Sequence, residues 1–285
     1  MRSDGYARSR AASLSRRDFE TVRGLVKEHA AIVLEPGKSY LVEARLTPIA
    51  QSLRAESLAS LVETLRTTPF GSLHARVVDA MTTNETSFFR DLHPFEALRK
   101  AIVPEILRRR EVERKIHVWC GASSSGQEPY SIAMLLHEHF PQLRDWSVVL
   151  IATDISEEML ERARAGRFSR LEVSRGLPAP LLVRYFERAG AEWKLAEEVR
   201  RMVTFRTLNL VKPWPPLPPL DLVFLRNVML YFDLEARREI LGRIRRALQP
   251  DGYLFLGAAE TTLHADDAFE RVAVERSWAY RVRRS

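Results

Sequence analysis

The sequence predicts an α/β fold: a mostly parallel sheet with helices on both faces, preceded by an all-helical domain. Three observations predict it. From residue 116 onward, short apolar β-type runs alternate with amphipathic helical stretches, the order that a parallel sheet with crossover helices requires. Residues 15 to 78 instead carry apolar positions at helical spacing only. Between the first strand and the first helix of the alternating part lies a loop of Gly, Ala and Ser alone, Gly121 to Gly126.

In chain order, residues 1 to 14 read as a basic tail. Ser15 opens a capping box of the form SRRD, with Asp18 where Glu is usual, and Phe19, Val22, Leu25 and Val26 follow on one helical face. Pro36-Gly37 is a turn, and Leu41 to Leu53 and Leu58 to Leu65 are further amphipathic pieces. The chain divides near residue 78. Residues 95 to 110 form another helix through Phe95, Leu98, Ile102, Ile106 and Leu107. Strands at 116–120 and 147–153 then alternate with helices at 127–139 and 156–165. The pattern breaks over about residues 168 to 202, an inserted subdomain that holds a basic helix-like piece, Ala179 to Arg188. It is either a neutral surface excursion or a device that helps dock a substrate near the ligand crevice. Strands at 203–207, 220–225 and 253–258, a helix at 233–248 and a closing antiparallel pair at 268–274 and 277–283 complete the sheet. Lys212 to Pro219 (KPWPPLPP) is a stiff proline-rich loop.

The loop and its surroundings point to a ligand. Small residues between a strand and a helix let a ligand approach the backbone closely. The next strand ends on Asp154, and a carboxylate there can accept from both hydroxyls of a ribose. GASSSG lacks the second and third glycines of the dinucleotide fingerprint, and Gln127-Glu128 stand where a phosphate loop needs Lys and Ser or Thr. Glu128 would repel a phosphate and suits an amine-bearing ligand. S-adenosylmethionine, with a sulfonium, an ammonium and no phosphate, fits a Rossmann-like sheet of this kind. A strand-turn-helix with no ligand is the plain alternative.

Composition sets outer bounds. The 285 residues, 46% hydrophobic, suffice for one large core or two modest ones. The single cysteine, Cys120, allows no disulfide within the chain and is expected to be a buried small hydrophobe. No apolar run reaches the ~18 residues of a membrane span, and the basic N-terminus lacks the apolar core of a signal peptide, so a cytoplasmic protein without membrane insertion is expected. The formal charge is +7, with basic clusters at Arg108 to Lys115, Arg243 to Arg246 and Arg281 to Arg284. These are either solvated helix faces or a surface for an acidic partner. The seven histidines are scattered and no metal site is expected.

Several motifs, in order and at matching separations, carry a family resemblance. Thr83 to Asp91 (TNETSFFRD) resembles the TNxTxFFRE signature of the CheR-type chemoreceptor glutamate methyltransferases of bacterial chemotaxis. GASSSGQEPYSIAM resembles that family's CSTGEEPYSIAM. ATDIS, Asn209-Leu210, RNVMLYFD at Arg226 to Asp233 and LQPDGYLFLGAAE at Leu248 to Glu260 resemble its later motifs. The resemblance spans about residues 16 to 283. Gln127 departs from the family's first Glu and Ala258-Ala259 from its Gly/His-Ser, and neither change removes a group that the chemistry must have.

The resemblance implies a class I S-adenosylmethionine-dependent methyltransferase sheet over 79–285, with a small inserted β-subdomain and an all-α domain at 15–78. It implies transfer of methyl groups to glutamate carboxylates of chemoreceptors, with S-adenosylhomocysteine as product. Asn84, Thr86 and Arg90 would reach over the cofactor beside the Gly121 loop, Glu128 would take the methionine ammonium, and Asp154 the ribose. Asn209-Leu210 and Asn227-Val228 would bracket the adenine and the methionine portion. Arg90 would hold the incoming carboxylate, with help from the Tyr231 hydroxyl. Arg45, Arg54 and Arg66 of the helical domain would meet the acidic helical cytoplasmic domain of the receptor. Some family members grip a peptide at the receptor's C-terminus with a glycine-containing loop of the β-subdomain. Here the matching segment, Phe186 to Trp193, is shorter and holds only Gly190, so independence of that C-terminal pentapeptide is expected. A non-catalytic S-adenosylmethionine-binding signalling module and a nucleic-acid methyltransferase remain alternatives. The intact Asn84/Arg90/Asp154/Asn227 set speaks against the first. Against the second stand the lack of RNA-binding signatures and of an NPPY-like strand end, and no nucleic-acid partner is expected.

Overall fold

A computed structural model describes residues 14–283, and the basic tail expected over 1–14 lies outside it except for Leu14. Leu14 is not tail: it is buried in the helical core and its N–H donates to Glu43 Oε1 at 2.8 Å. The chain forms two compact units that divide between Thr83 and Asn84. No helix among the described residues is long and apolar enough to cross a membrane.

The first unit holds α1 (Arg16–Ala30), α2 (Ser39–Ser52), α3 (Leu58–Thr67) and α4 (Ser72–Ala80). Its core joins Phe19, Val22 and Val26 of α1 to Val42 and Leu46 of α2 and to Leu61, Leu65 and Val77. Ser15 caps α1 as expected, its hydroxyl accepting from the Asp18 N–H at 3.1 Å. The reciprocal half of the box is replaced. Asp18, one methylene shorter than Glu, takes the Ser15 hydroxyl at 2.6 Å and the Arg66 guanidinium at 2.9 Å. α4 was not read from the sequence, and it carries the helical unit past the boundary expected near residue 78.

The second unit opens with α5 (His93–Ala97), a π-helical stretch (Leu98–Ile102) and α6 (Val103–Arg109). The single helix expected over 95 to 110 is thus broken by a π turn. Pro104 has no N–H to return to the carbonyl of Lys100, and the ladder widens there, the Val103 N–H reaching the Leu98 carbonyl.

The sheet contains β1 (Lys115–Gly121), β2 (Ser147–Asp154), β6 (Val203–Thr207), β7 (Leu220–Leu225), β8 (Leu248–Leu256), β9 (Phe269–Val274) and β10 (Ser277–Val282). Between them lie α7 (Gln127–His139), α8 (Glu157–Ala165) and α12 (Leu234–Ala247). The spatial order is β6-β2-β1-β7-β8-β10-β9, parallel up to β8 with β10 and β9 antiparallel at the edge. β7 is buried along its whole length, as expected of a strand covered on both faces. β8 starts earlier and ends sooner than the expected 253–258, leaving Gly257 to the following loop.

The inserted subdomain is a second, three-stranded sheet of order β3-β5-β4, formed by β3 (Arg167–Ser169), β4 (Phe186–Ala189) and β5 (Glu192–Leu195), with α9 (Arg170–Ser174), α10 (Ala179–Tyr185) and α11 (Glu197–Arg200) around it. The helix expected to reach Arg188 stops at Tyr185. Phe186 opens β4 opposite Leu195 and buries its ring beside Phe88 and Phe168, which a continued helix would not allow.

Candidate active site

The chain lays its strands outward from β1 in two directions. β2 and β6 lie on one side, β7 and β8 on the other. The crevice outside the carboxyl ends of β1 and β7 is therefore the topological switch point, where open parallel sheets bind ligands. Register brings Gly121 level with Thr153 and Leu225, Asp154 level with Thr207, and Leu225 level with Leu256. The segments that leave these strand ends hold all the expected cofactor residues outside Asn84 to Arg90.

The small-residue loop is held tightly. Gly126 has φ +93°, and a Cβ there would lie 3.0 Å from the Ala163 methyl, so only glycine starts α7 at this distance from α8. The Ser124 N–H donates to Asp154 Oδ2 at 2.7 Å and the Ser156 N–H to Oδ1 at 2.9 Å. Asp154 is buried, with Oδ2 turned to the small-residue loop and Oδ1 to the turn that leads into α8. Asn209 folds back in an Asx turn, its Oδ1 accepting from the Val211 N–H at 3.0 Å, and Leu210 is buried.

The segment from Asn84 to Asp91 is fastened to this edge at three points. The Ser124 hydroxyl donates to the Asn84 carbonyl at 2.9 Å, the Phe89 N–H donates to Ser131 Oγ of α7 at 2.9 Å, and Arg226 donates to the Arg90 carbonyl at 3.1 Å. Phe88 is fully buried, edge-on to Phe168 at 5.0 Å. Phe89, Asp91 and Leu92 adopt positive φ, so the segment turns sharply where it meets α5. Thr86 and Arg90 are half-buried, and Arg90 donates to the Glu85 carbonyl at 3.1 Å.

Glu128 sits in the first turn of α7, and burial raises its carboxyl above the usual range against the opposing pull of Arg226 and Arg90. Arg226, which sequence reasoning left without a role, is the partner that makes this burial tolerable. Its side chain is 1% exposed and reaches Glu128 at 2.7 Å and Asp91 at 2.6 Å. The signal was present: a cation directly after the apolar run LDLVFL must have a buried carboxylate partner. Glu260 was also missed. It accepts from the N–H groups of Asn227 at 2.8 Å and Gly257 at 2.6 Å, holding Asn227 at φ +60° beyond the end of β7. A Cβ on Gly257 would lie 2.7 Å from both side chains. Val228 and Tyr231 follow, half-buried, with Phe232 in the core. Cys120 is buried and its thiol pushed well up by burial, so it stays a protonated apolar group.

Two of the three expected docking arginines are engaged within the helical unit. Arg45 donates to the Met81 carbonyl at 2.7 Å and the Thr83 hydroxyl at 3.0 Å, and Arg66 pairs with Asp18 and Glu63. Arg54 is exposed at the end of α2 with φ +52°.

The residues fit an amine-bearing nucleoside ligand. Ser123 Oγ and Asn227 Oδ1, on the segments that leave the adjacent strands β1 and β7, are buried without a hydrogen-bond partner among the described residues, and orphaned atoms at a switch point mark where a ligand supplies the missing bonds. With the acid at the end of β2 and the acid at the start of α7, this sheet is that of the S-adenosylmethionine-dependent methyltransferases.

Comparison with known proteins narrows the class. Residues 84–278 match the family described as CheR methyltransferase, SAM binding domain, and residues 17–82 match CheR methyltransferase, all-alpha domain. Chemotaxis protein methyltransferase 1 of Pseudomonas aeruginosa is 40% identical over 276 residues, covering 95% of this chain and all of that protein. Chemotaxis protein methyltransferase Cher2 of Pseudomonas putida is 40% identical over 260 residues, 90% of this chain and 94% of its own. The chemotaxis protein methyltransferase of Vibrio anguillarum is 36% identical, covering 96% and 99%. The chain belongs to the CheR methyltransferase family, and its cofactor is S-adenosylmethionine.

Proposed function

We propose that this enzyme methylates glutamate side-chain carboxylates in the acidic helical cytoplasmic domain of chemoreceptors, forming glutamate methyl esters. The observation that carries the reading is the fastening of the Asn84–Asp91 segment to the cofactor edge, which keeps Arg90 close enough to Glu128 to act on its ionisation. A guanidinium there suits a carboxylate acceptor. The names of the relatives point to a chemotaxis protein as the substrate.

S-adenosylmethionine, when bound, supplies a methyl carbon made electrophilic by its sulfonium. Glu128 holds the ammonium with the carboxylate capacity that Arg226 leaves open, and Asp154 holds the ribose hydroxyls. Gly121 begins the small-residue loop, which would let the ligand approach the backbone closely. Asn84 and Thr86 cover the cofactor, and Asn209-Leu210 and Asn227-Val228 bracket it. Arg90 aligns the acceptor carboxylate and Tyr231 steadies it through its hydroxyl. A glutamate has a pKa of about 4.3 and is already ionised at neutral pH. Its oxygen would accept the methyl group that the bound cofactor supplies. No proton moves, so the chain need only align the reacting atoms and exclude water.

Docking through a receptor C-terminal pentapeptide is not required in this reading. The β4–β5 connection is the two-residue turn Gly190-Ala191, closed by the Ala189–Glu192 pair, with no further chain to wrap a peptide. Full methylation of a receptor lacking its C-terminus is expected; loss of methylation together with micromolar pentapeptide binding would overturn this part. The main test is transfer of tritiated methyl groups to receptor-containing membranes. Base-labile label released as methanol from receptor glutamates is expected. Label in RNA, or no transfer, would refute the assignment.

A further inference from the structure

A charged pocket in the same unit is walled in part by Arg226. It encloses about 170 Å³, and its charged walls include Asp91, Arg226, Glu260, Arg271 and Arg276, with Trp278 at the rim. Most of these charges are already satisfied. Asp91 pairs with Arg226 and Glu260 accepts from backbone N–H groups, as described, while His93 faces Glu96 at 3.4 Å. Arg271 and Arg276 differ: neither makes a hydrogen bond or an ion pair among the described residues. Arg271 lies over the Trp278 indole, its guanidinium carbon 4.1 Å from the ring centre. Arg276 sits in the two-residue β9–β10 turn beside Glu275, which takes a strained φ of +55°. Arg226 adds a buried Nε with no partner among the described residues.

Two uncommitted guanidiniums beside a cavity call for an anion. Asp91 and Glu260 in the walls disfavour a doubly charged phosphate and leave a single carboxylate as the better match. Trp278, which lines the pocket, is 51% exposed, and an exposed aromatic beside the arginines suits a side chain carried on a protein surface rather than a small free acid. We propose that this pocket anchors an acidic side chain of the protein substrate, held by Arg271 and Arg276 while a neighbouring glutamate is presented at the cofactor edge. The proposal rests on the function given above and adds a specificity site to it.

The test uses the full chain carrying Arg271→Gln and Arg276→Gln together, with Arg271→Lys/Arg276→Lys as the charge-conserving companion, and a cytoplasmic chemoreceptor fragment as substrate. The Gln pair is expected to raise KM for the fragment about three- to tenfold at low salt, as two exposed ion pairs would. kcat at saturating substrate and S-adenosylmethionine affinity by titration should stay at wild-type values. Direct binding of the fragment without cofactor should weaken in parallel, and the difference from wild type should shrink as salt rises. The Lys pair should recover most of the loss. An unchanged KM with normal labelling of receptor glutamates overturns the anchor site alone. Weakened cofactor binding also overturns it, since the pocket would then belong to the cofactor site. Failure of the wild-type enzyme to label receptor glutamates overturns the parent reading and this one with it.

Discussion

Replacing Arg226 with methionine tests how the buried charges of the site are balanced. Methionine keeps the stem volume and removes the guanidinium. The change breaks the 2.7 Å pair with Glu128 and the 3.1 Å bond to the Arg90 carbonyl, and also the pair with Asp91, whose side chain is 43% exposed. Breaking a buried pair by removing one partner costs about 3–5 kcal/mol. The Asp91 pair is screened by solvent and adds less than about 1 kcal/mol. A loss of about 4 kcal/mol in this unit should lower its unfolding midpoint by roughly 8–16 °C, at about 2–4 °C per kcal/mol for its size. The penalty comes mostly from an unpaired buried carboxylate, so Arg226→Met/Glu128→Gln should regain a large part of it. Acid should help as well. Burial already raises the Glu128 carboxyl and Arg226 opposes that shift, so the variant holds Glu128 higher still. A group with a raised folded pKa favours folding below its unfolded pKa and loses that contribution as pH rises through the folded value. The Arg226→Met penalty should therefore be greatest near neutral pH and smaller in acid. Thermal unfolding across pH, with the double-mutant cycle, reads all of this. A midpoint within 2 °C of wild type, or a double variant no better than the single, would refute the reasoning.

Three further outcomes follow. Asp154→Ala should weaken S-adenosylmethionine binding by about 1.5–3 kcal/mol, the cost of a charge-assisted bond; unimpaired binding in a calorimetric titration would remove the ribose assignment. Arg90→Ala should depress kcat far more than cofactor affinity, and a near-normal kcat with cofactor still bound would make Arg90 structural. Arg110→Met should destabilise the sheet unit by roughly 3 kcal/mol, because Arg110 Nε pairs at 2.9 Å with Asp221, which is only 2% exposed. Burial raises the Asp221 carboxyl, so that penalty should fade as pH falls and Asp221 is protonated; an equal penalty at pH 4 and pH 7 would contradict it.

Much of the fold was legible because its strands are either continuous apolar runs or bounded by turns. β6 and β7 fall on the expected residues, as does α7. What the sequence concealed has specific causes. The π turn before Pro104 changes a hydrogen-bond ladder without changing the apolar face that Leu98, Ile102 and Ile106 present. Phe186 reads as the end of a helical stretch, and only its long-range pairing with Leu195 makes it a strand. Motif residues could be named one by one, but Arg226 and Glu260 act on other parts of the site, across 98 residues to Glu128 and 33 to Asn227, and no local pattern encodes such a pairing. The basic clusters were left open between solvated faces and a partner surface for the same reason. Arg109 and Arg110 hold Asp251, Arg243 donates to the Leu210 and Lys212 carbonyls, and Arg245 pairs with Asp266. Net charge alone does not say which arginines the fold itself engages.

The same pairing logic bears on ligand choice. Asp91, Arg226 and Glu128 form a chain of two carboxylates about one guanidinium, a net charge of −1 when both acids are ionised. Helix α7 offsets a fraction of it, because Glu128 lies in its first turn, where the helix dipole favours an anion. What remains is one negative charge, only partly exposed through Asp91. An anionic ligand such as a dinucleotide phosphate would deepen that imbalance, whereas one ammonium beside Glu128 brings the chain to neutrality. Once Glu128 is ionised by a cation at close range its proton is no longer held, so cofactor affinity should rise with pH through the raised Glu128 pKa and level off above it. An affinity that does not fall as pH is lowered, measured by calorimetry in buffers of different ionisation enthalpy and with no proton released on binding in acid, would show that the ammonium lies elsewhere.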